Sequence, residues 1–240
     1  MITERDWAHG TDPEPMLEFL RGKATDRKLR LFACACCRHT AALMAAECRR
    51  MTEHKRHPAE IEAARREADL AARAAEVAER LADGLASLAE LKALFCSPED
   101  DEMEGCYADG ADAAWSAKAS AYRARWCADY CSPPSYRPGA GFRSSSAADR
   151  DRERLSQCGL LRDIFGNPMQ AVPIDPTWLT PDVVELAQAL YAERTFDGLP
   201  RLADALERAG CTNPAILTHC QGAGEHVRGC WVVDAVLRKE

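Results

Sequence analysis

The chain has no run approaching the ~20 consecutive apolar residues that a membrane-crossing helix requires. Its opening residues, MITERDWAHG, are charged where a signal peptide would be apolar. These absences predict a cytoplasmic protein with no membrane partner. An excess of positive charge is also lacking, since 31 Lys and Arg stand against 38 Asp and Glu for a formal net charge of -7. Such a balance gives no overall attraction for phosphate backbones, so nucleic acid is not the expected partner. Missing too are H-E-x-x-H, G-x-S-x-G, the kinase signature set, a P-loop and the zinc-deaminase pair of H-x-E and P-C-x-x-C. Enzymatic function is therefore unsupported by any complete motif.

Cysteine, by contrast, is plentiful, with 12 in 240 residues. Cys34, Cys36 and Cys37 crowd into one helical turn, an arrangement that a disulfide framework does not use, and the surrounding alanine-rich helices need no staples. Reduced thiols are expected.

Periodicity and capping signals predict an all-α fold: a helical bundle with a long central hairpin and a C-terminal set of short helices. Thr11 and Asp12 before Pro13 open a first helix that Gly22 closes. From Arg27 to about Met51 the chain runs without proline or glycine, and its first half is apolar nearly all round, as in a helix enclosed by protein. From Pro58 to Phe95, Ala71, Ala74, Ala78, Leu81, Leu85, Leu88 and Phe95 alternate spacings of three and four, which reads as one long seam with Gly84 marking a bend or a close crossing. An acidic loop at residues 99–104 precedes a helix expected over 111–130, with Trp115, Tyr122, Trp126 and Tyr130 on one face; rings at this spacing are core residues more often than stacking platforms. Residues 132–147, SPPSYRPGAGFRSSSA, form the linker between a 1–131 region and a 148–240 region that is either separate or packed with the first. The C-terminal region reads as helices at 148–164, 181–194, 200–209 and 214–219, the last three entered at Pro181, Pro200 and Pro214. Residues 231–237 are β-branched enough for a strand but carry helical spacing, which favours a final helix.

Two Cys/His clusters lie near opposite ends of the chain. In FACACCRHT, Cys34 and Cys37 are three apart on a helix; in THCQGAGEHVRGCW, His226 and Cys230 are four apart. Zinc takes four nitrogen or thiolate ligands, often two from each of two segments, so Cys34, Cys37, His226 and Cys230 are the candidate metal site, with Cys36, Cys211 and Cys220 as substitutes. The competing reading needs no metal, because cysteine packs in cores like a small apolar residue. A thiol nucleophile is a further option, with Cys220 beside His219 or Cys37 near His39, although burial in an apolar helix raises a thiol pKa.

The segments DRKLRLFACACC, LLRDIFGNP, FDGLPRLADALERAGC and HCQGAGEHVRGCWVVD together resemble a helical bacterial family with no assigned activity, abundant as paralogues in planctomycete genomes. The likeness covers about the first fifty and last eighty residues. It implies a bacterial cytoplasmic origin and makes both Cys/His clusters part of the family pattern. Three functions follow as expectations. The leading one is a helical protein-interaction or scaffolding module with structural cysteine and histidine clusters. The second is a metal- or thiol-dependent enzyme with its site between the Cys34–Cys37 and His226–Cys230 clusters. The third is a nucleic-acid-associated accessory protein working through Arg137 and Arg143.

Overall fold

The computed structural model describes residues 2–53, 57–94 and 147–239, and every regular element among them is helical, with no strand. The acidic loop, the aromatic face at 111–130, Phe95, Arg137, Arg143 and all of the 132–147 segment except its last residue lie outside the described residues. No described helix is long and apolar enough to cross a membrane. By packing, the chain separates into one unit of residues 11–158 and another that combines residues 1–10 with 159–240. The division thus passes between Cys158 and Gly159, inside a helix, and the first ten residues group with the C-terminal unit.

In the first unit, α1 (Pro13–Leu20) starts where Asp12 accepts a hydrogen bond from the Glu14 N–H at 3.2 Å, and it buries Met16, Leu17 and Leu20. Next come α2 (Asp26–Glu53) and α3 (Pro58–Ala82). The early part of α2 buries Leu29, Leu31, Phe32, Cys34, Ala35 and Cys36, as its all-round apolar sequence requires. The two helices pack as an antiparallel hairpin. Arg27 near the start of α2 pairs with Asp83 just beyond α3 at 3.2 Å, and Arg38 Nε meets Glu79 Oε1 at 2.6 Å. Ala68, Ala74 and Ala75 are buried apolar residues of α3, and their small side chains allow close approach.

The long seam expected to reach Phe95 stops at Gly84. Gly84 has φ +72°, its N–H bonds the Leu81 carbonyl at 3.1 Å, and the Leu85 N–H bonds that of Arg80 at 2.7 Å. This double closure in the left-handed region ends a helix at a glycine because no Cβ opposes it. Leu85 is consequently 68% exposed, and Ser87 caps a separate short helix, α4 (Leu88–Lys92).

The Arg38–Glu79 pair yields a first prediction. Glu79 is buried while Arg38 is about one-third exposed, so Arg38→Ala leaves a buried carboxylate without its closest cation. The cost should be about 1–3 kcal/mol, below that of a fully buried pair. Urea unfolding followed by circular dichroism measures it; a change under about 0.5 kcal/mol, ordinary for a surface substitution, would show that the pair contributes nothing.

The helix α5 (Ala147–Phe165) contributes to both units. In the second unit it is followed by α6 (Pro181–Glu193), α7 (Leu199–Arg208), α8 (Pro214–Gln221) and α9 (Trp231–Leu237), the last confirming a helix rather than a strand. Their core is formed by Val183, Leu190, Leu199, Leu202, Leu206, Ile216, Val232 and Val236, with Cys211, Cys220 and Cys230 buried in the same cluster. Residues Glu4–His9 form a further short helix that the sequence reading does not anticipate. Its signal is the Thr3-x-x-Asp6 box, in which Thr3 Oγ1 accepts from the Asp6 N–H at 3.2 Å and Asp6 Oδ2 accepts from the Thr3 N–H at 2.9 Å.

Candidate metal centre

In the second unit four side chains converge: Asp163 from the last turn of α5, His219 from the last turn of α8, His226 from the following loop, and Cys230 at the entry to α9. Each reaches this place for a local reason. Gly222 closes α8 by donating its N–H to the His219 carbonyl at 3.2 Å. The loop then turns back onto α5, where the Val227 N–H donates to Asp163 Oδ2 at 2.9 Å. A turn closed by the Cys230 N–H on the Val227 carbonyl sets Cys230 as the residue preceding α9.

One potential ligand atom from each residue lies within 4.8 Å of all the others. His226 Nδ1 is 2.6 Å from Asp163 Oδ1, His219 Nε2 is 3.1 Å from that same oxygen, and His219 Nε2 is 3.2 Å from Cys230 Sγ. With zinc bonds of about 2.0–2.3 Å, the edges of a tetrahedron are about 3.3–3.7 Å. Two of the observed separations are within about 0.5 Å of that length, and the third is a short hydrogen bond that a cation would open. The site is nearly closed: the side chains of Asp163, His226 and His219 are 3%, 9% and 17% exposed, and Cys230 is fully buried.

The electrostatics are those of a carboxylate holding two imidazoles. Burial by itself raises the Asp163 carboxyl, yet the hydrogen bonds and charges of His219 and His226 outweigh it and keep Asp163 below its ordinary value. For His226, burial disfavours the charged ring, and the Asp163 carboxylate more than compensates, so its pKa is raised. Burial, seconded by the Asp163 charge, lifts Cys230 well above an ordinary thiol. The second ring nitrogen of His226 is buried and makes no hydrogen bond of good geometry, although the Gly222 carbonyl favours the charged ring.

A nucleophilic relay does not account for this arrangement. In a Cys–His–Asp relay the thiol and the carboxylate address different nitrogens of one imidazole. Here Cys230 Sγ and Asp163 Oδ1 both approach Nε2 of His219. One nitrogen with a single proton or a single lone pair serves both partners poorly, whereas a cation among them satisfies all four atoms.

Of the sequence candidates, the structure brings His226 and Cys230 together and completes their group with Asp163 and His219. Cys34, Cys36 and Cys37 belong to α2 in the other unit and are not members of the group, and neither are Cys211 and Cys220. Cys220 is buried, and burial together with the nearby Asp163 charge pushes its thiol up to about 12, while the His219 ring beside it in sequence is turned to Asp163 and Cys230. His39 directs Nδ1 toward Glu153 Oε2 at 3.7 Å. Sequence reasoning proposed neither Asp163 nor His219 as a metal ligand, and Asp163 it missed altogether. Its signal is a lone acid inside Leu160-Leu161-Arg162-Asp163-Ile164, where the three apolar neighbours are fully buried.

These burials set an expectation for thiol chemistry. Desolvation holds Cys34 and Cys230 well above the ordinary thiol range and Cys220 near 12 in the metal-free protein, so without metal all three are protonated and shielded at neutral pH. Peptide-resolved alkylation of the native protein at pH 7 should leave them largely unlabelled after an hour and label them fully in denaturant. Rapid native labelling of any of the three would contradict their placement.

In comparisons with known proteins, no family model, no curated protein and no solved structure matches the chain.

Proposed function

We propose that this protein is a zinc-held helical module, in which Asp163, His219, His226 and Cys230 bind one Zn²⁺ that ties the end of α5 to the loop and helix after α8. The observation that carries the reading is the convergence of a carboxylate oxygen and a thiol sulfur on the same imidazole nitrogen, with a second imidazole on that oxygen. Two imidazoles, a thiolate and a carboxylate form a borderline-soft donor set that suits zinc better than the oxygen-seeking Ca²⁺ or Mg²⁺. Four protein ligands in a nearly closed pocket match a structural centre, which leaves no open position for substrate. That favours the interaction or scaffolding role over the metal-dependent enzyme. The net charge of -7 argues against the nucleic-acid role. All four residues also fall within two of the segments that carry the resemblance to the planctomycete paralogues, Asp163 in LLRDIFGNP and the other three in HCQGAGEHVRGCWVVD.

Elemental analysis of the full chain, purified without chelator, tests the proposal. About one zinc per chain is expected, because structural sites bind tightly. A content below about 0.2 after incubation with zinc and desalting would sink it.

A further inference from the structure

We infer that metal occupancy of the Asp163 centre and docking of the helix at residues 4–9 are coupled through the last turn of α5, an inference that rests on the metal reading above. Both features are held by one stretch of six residues, 162–167. Toward the short helix, Arg162 donates from Nε to the Trp7 carbonyl at 2.8 Å and from Nη2 to the Gly10 carbonyl at 2.5 Å, satisfying carbonyls at its C-terminal end. The Trp7 indole N–H donates in return to the Gly166 carbonyl at 2.7 Å, and Asn167 Nδ2 donates to Glu4 Oε1 at 2.6 Å. Trp7 is almost fully buried by this docking.

The metal-binding side starts one residue from Arg162, at Asp163. It is also reached through Gly166, which ends α5 at φ +61° so close to Trp231 that a Cβ there would lie 3.1 Å from the indole ring. The Trp231 ring in turn sits 5.2 Å, centre to centre, from that of His219. Fixing Asp163 and His219 on a cation therefore fixes the backbone that presents Arg162, Gly166 and Asn167. A helix of six residues has no independent stability in water, because nucleation alone exceeds what its few hydrogen bonds return. Its order is set by these contacts, and coupling between two binding events is reciprocal.

Hydrogen exchange of the full chain, read by mass spectrometry with and without Zn²⁺ beside a parallel zinc titration, tests the coupling. We expect one zinc per chain and at least about fivefold slower exchange of the amides at 6–10 when zinc is bound, within the usual range of coupling between sites. Cys230→Ser should abolish the zinc-dependent part of that protection. Trp7→Phe keeps an aromatic ring but loses the N–H donor; with helicity unchanged by circular dichroism, it should weaken zinc binding about fivefold. Stoichiometric zinc uptake with unchanged exchange at 6–10, or an unaltered affinity in Trp7→Phe, overturns the coupling and leaves the metal centre standing. No zinc uptake by the wild type overturns both.

Discussion

Chelator-treated protein returned to a thousandfold excess of Zn²⁺ over its dissociation constant should gain about 4 kcal/mol, because a ligand bound only by the folded state shifts the equilibrium by that amount. At roughly 2–8 °C per kcal/mol, the transition that includes the C-terminal unit should move up by about 10 °C or more in differential scanning calorimetry. The effect should fade with acid, and its sign follows from the ligands. Zinc requires a Cys230 thiolate and an unprotonated His226 nitrogen. The pKa values of both groups are raised, so at neutral pH the Cys230 proton must leave, and below the raised His226 pKa a second proton must leave as well. Asp163 is held low and is already ionised. The apparent zinc affinity should consequently fall about tenfold per pH unit for each proton released, first with slope one and then with slope two. A melting transition indifferent to zinc from pH 6 to 8 would argue that the four residues form only a hydrogen-bonded network.

The second large effect separates the proposed ligand set, the four residues that the structure brings together, from the one expected from sequence. Cys230→Ser should lower zinc affinity more than about a hundredfold, since loss of an outer-shell partner alone costs about 10- to 100-fold. Its effect on the metal-free protein should be small. Cys34→Ala should leave zinc binding unchanged, because Cys34 is buried in α2 of the other unit. Competition against a chromophoric zinc chelator resolves both. Asp163→Asn differs in kind: it takes away the charge that partners both imidazoles, so about 3 kcal/mol of stability should vanish even without metal, as when a buried pair is broken. Equal zinc affinity in wild type and Cys230→Ser would remove Cys230 from the centre.

Much of the fold was legible because its signals are local. Asp12 before Pro13, Asn213 before Pro214 and the unbroken run through α2 each settle a helix from a few adjacent residues. The break at Gly84 was readable only as an alternative, since alternating spacings of three and four continue past it and nothing in the sequence weighs a glycine cap against a seam. The centre was half legible. His226 and Cys230 stood out by residue type, but their relation is not that of one helix face: His226 lies in the loop and Cys230 precedes α9. Their partners could not be read from spacing. Asp163 comes from 56 residues before His219, and the meeting depends on a loop that turns back to place the Val227 N–H on its carboxylate. Cys34 and Cys37 share the residue type of the grouped Cys230, and type alone does not separate a candidate ligand from a packed thiol.

The most direct test of the central claim is zinc K-edge X-ray absorption on the full chain loaded with one equivalent of Zn²⁺. The expected spectrum has one sulfur scatterer at about 2.3 Å and three nitrogen or oxygen scatterers at about 2.0–2.1 Å, with imidazole multiple scattering from two rings. Two or more sulfur scatterers would place the metal on a cysteine set such as Cys34 and Cys37, and a six-coordinate shell of light atoms alone would place it on the surface; either result would contradict a zinc held by Asp163, His219, His226 and Cys230.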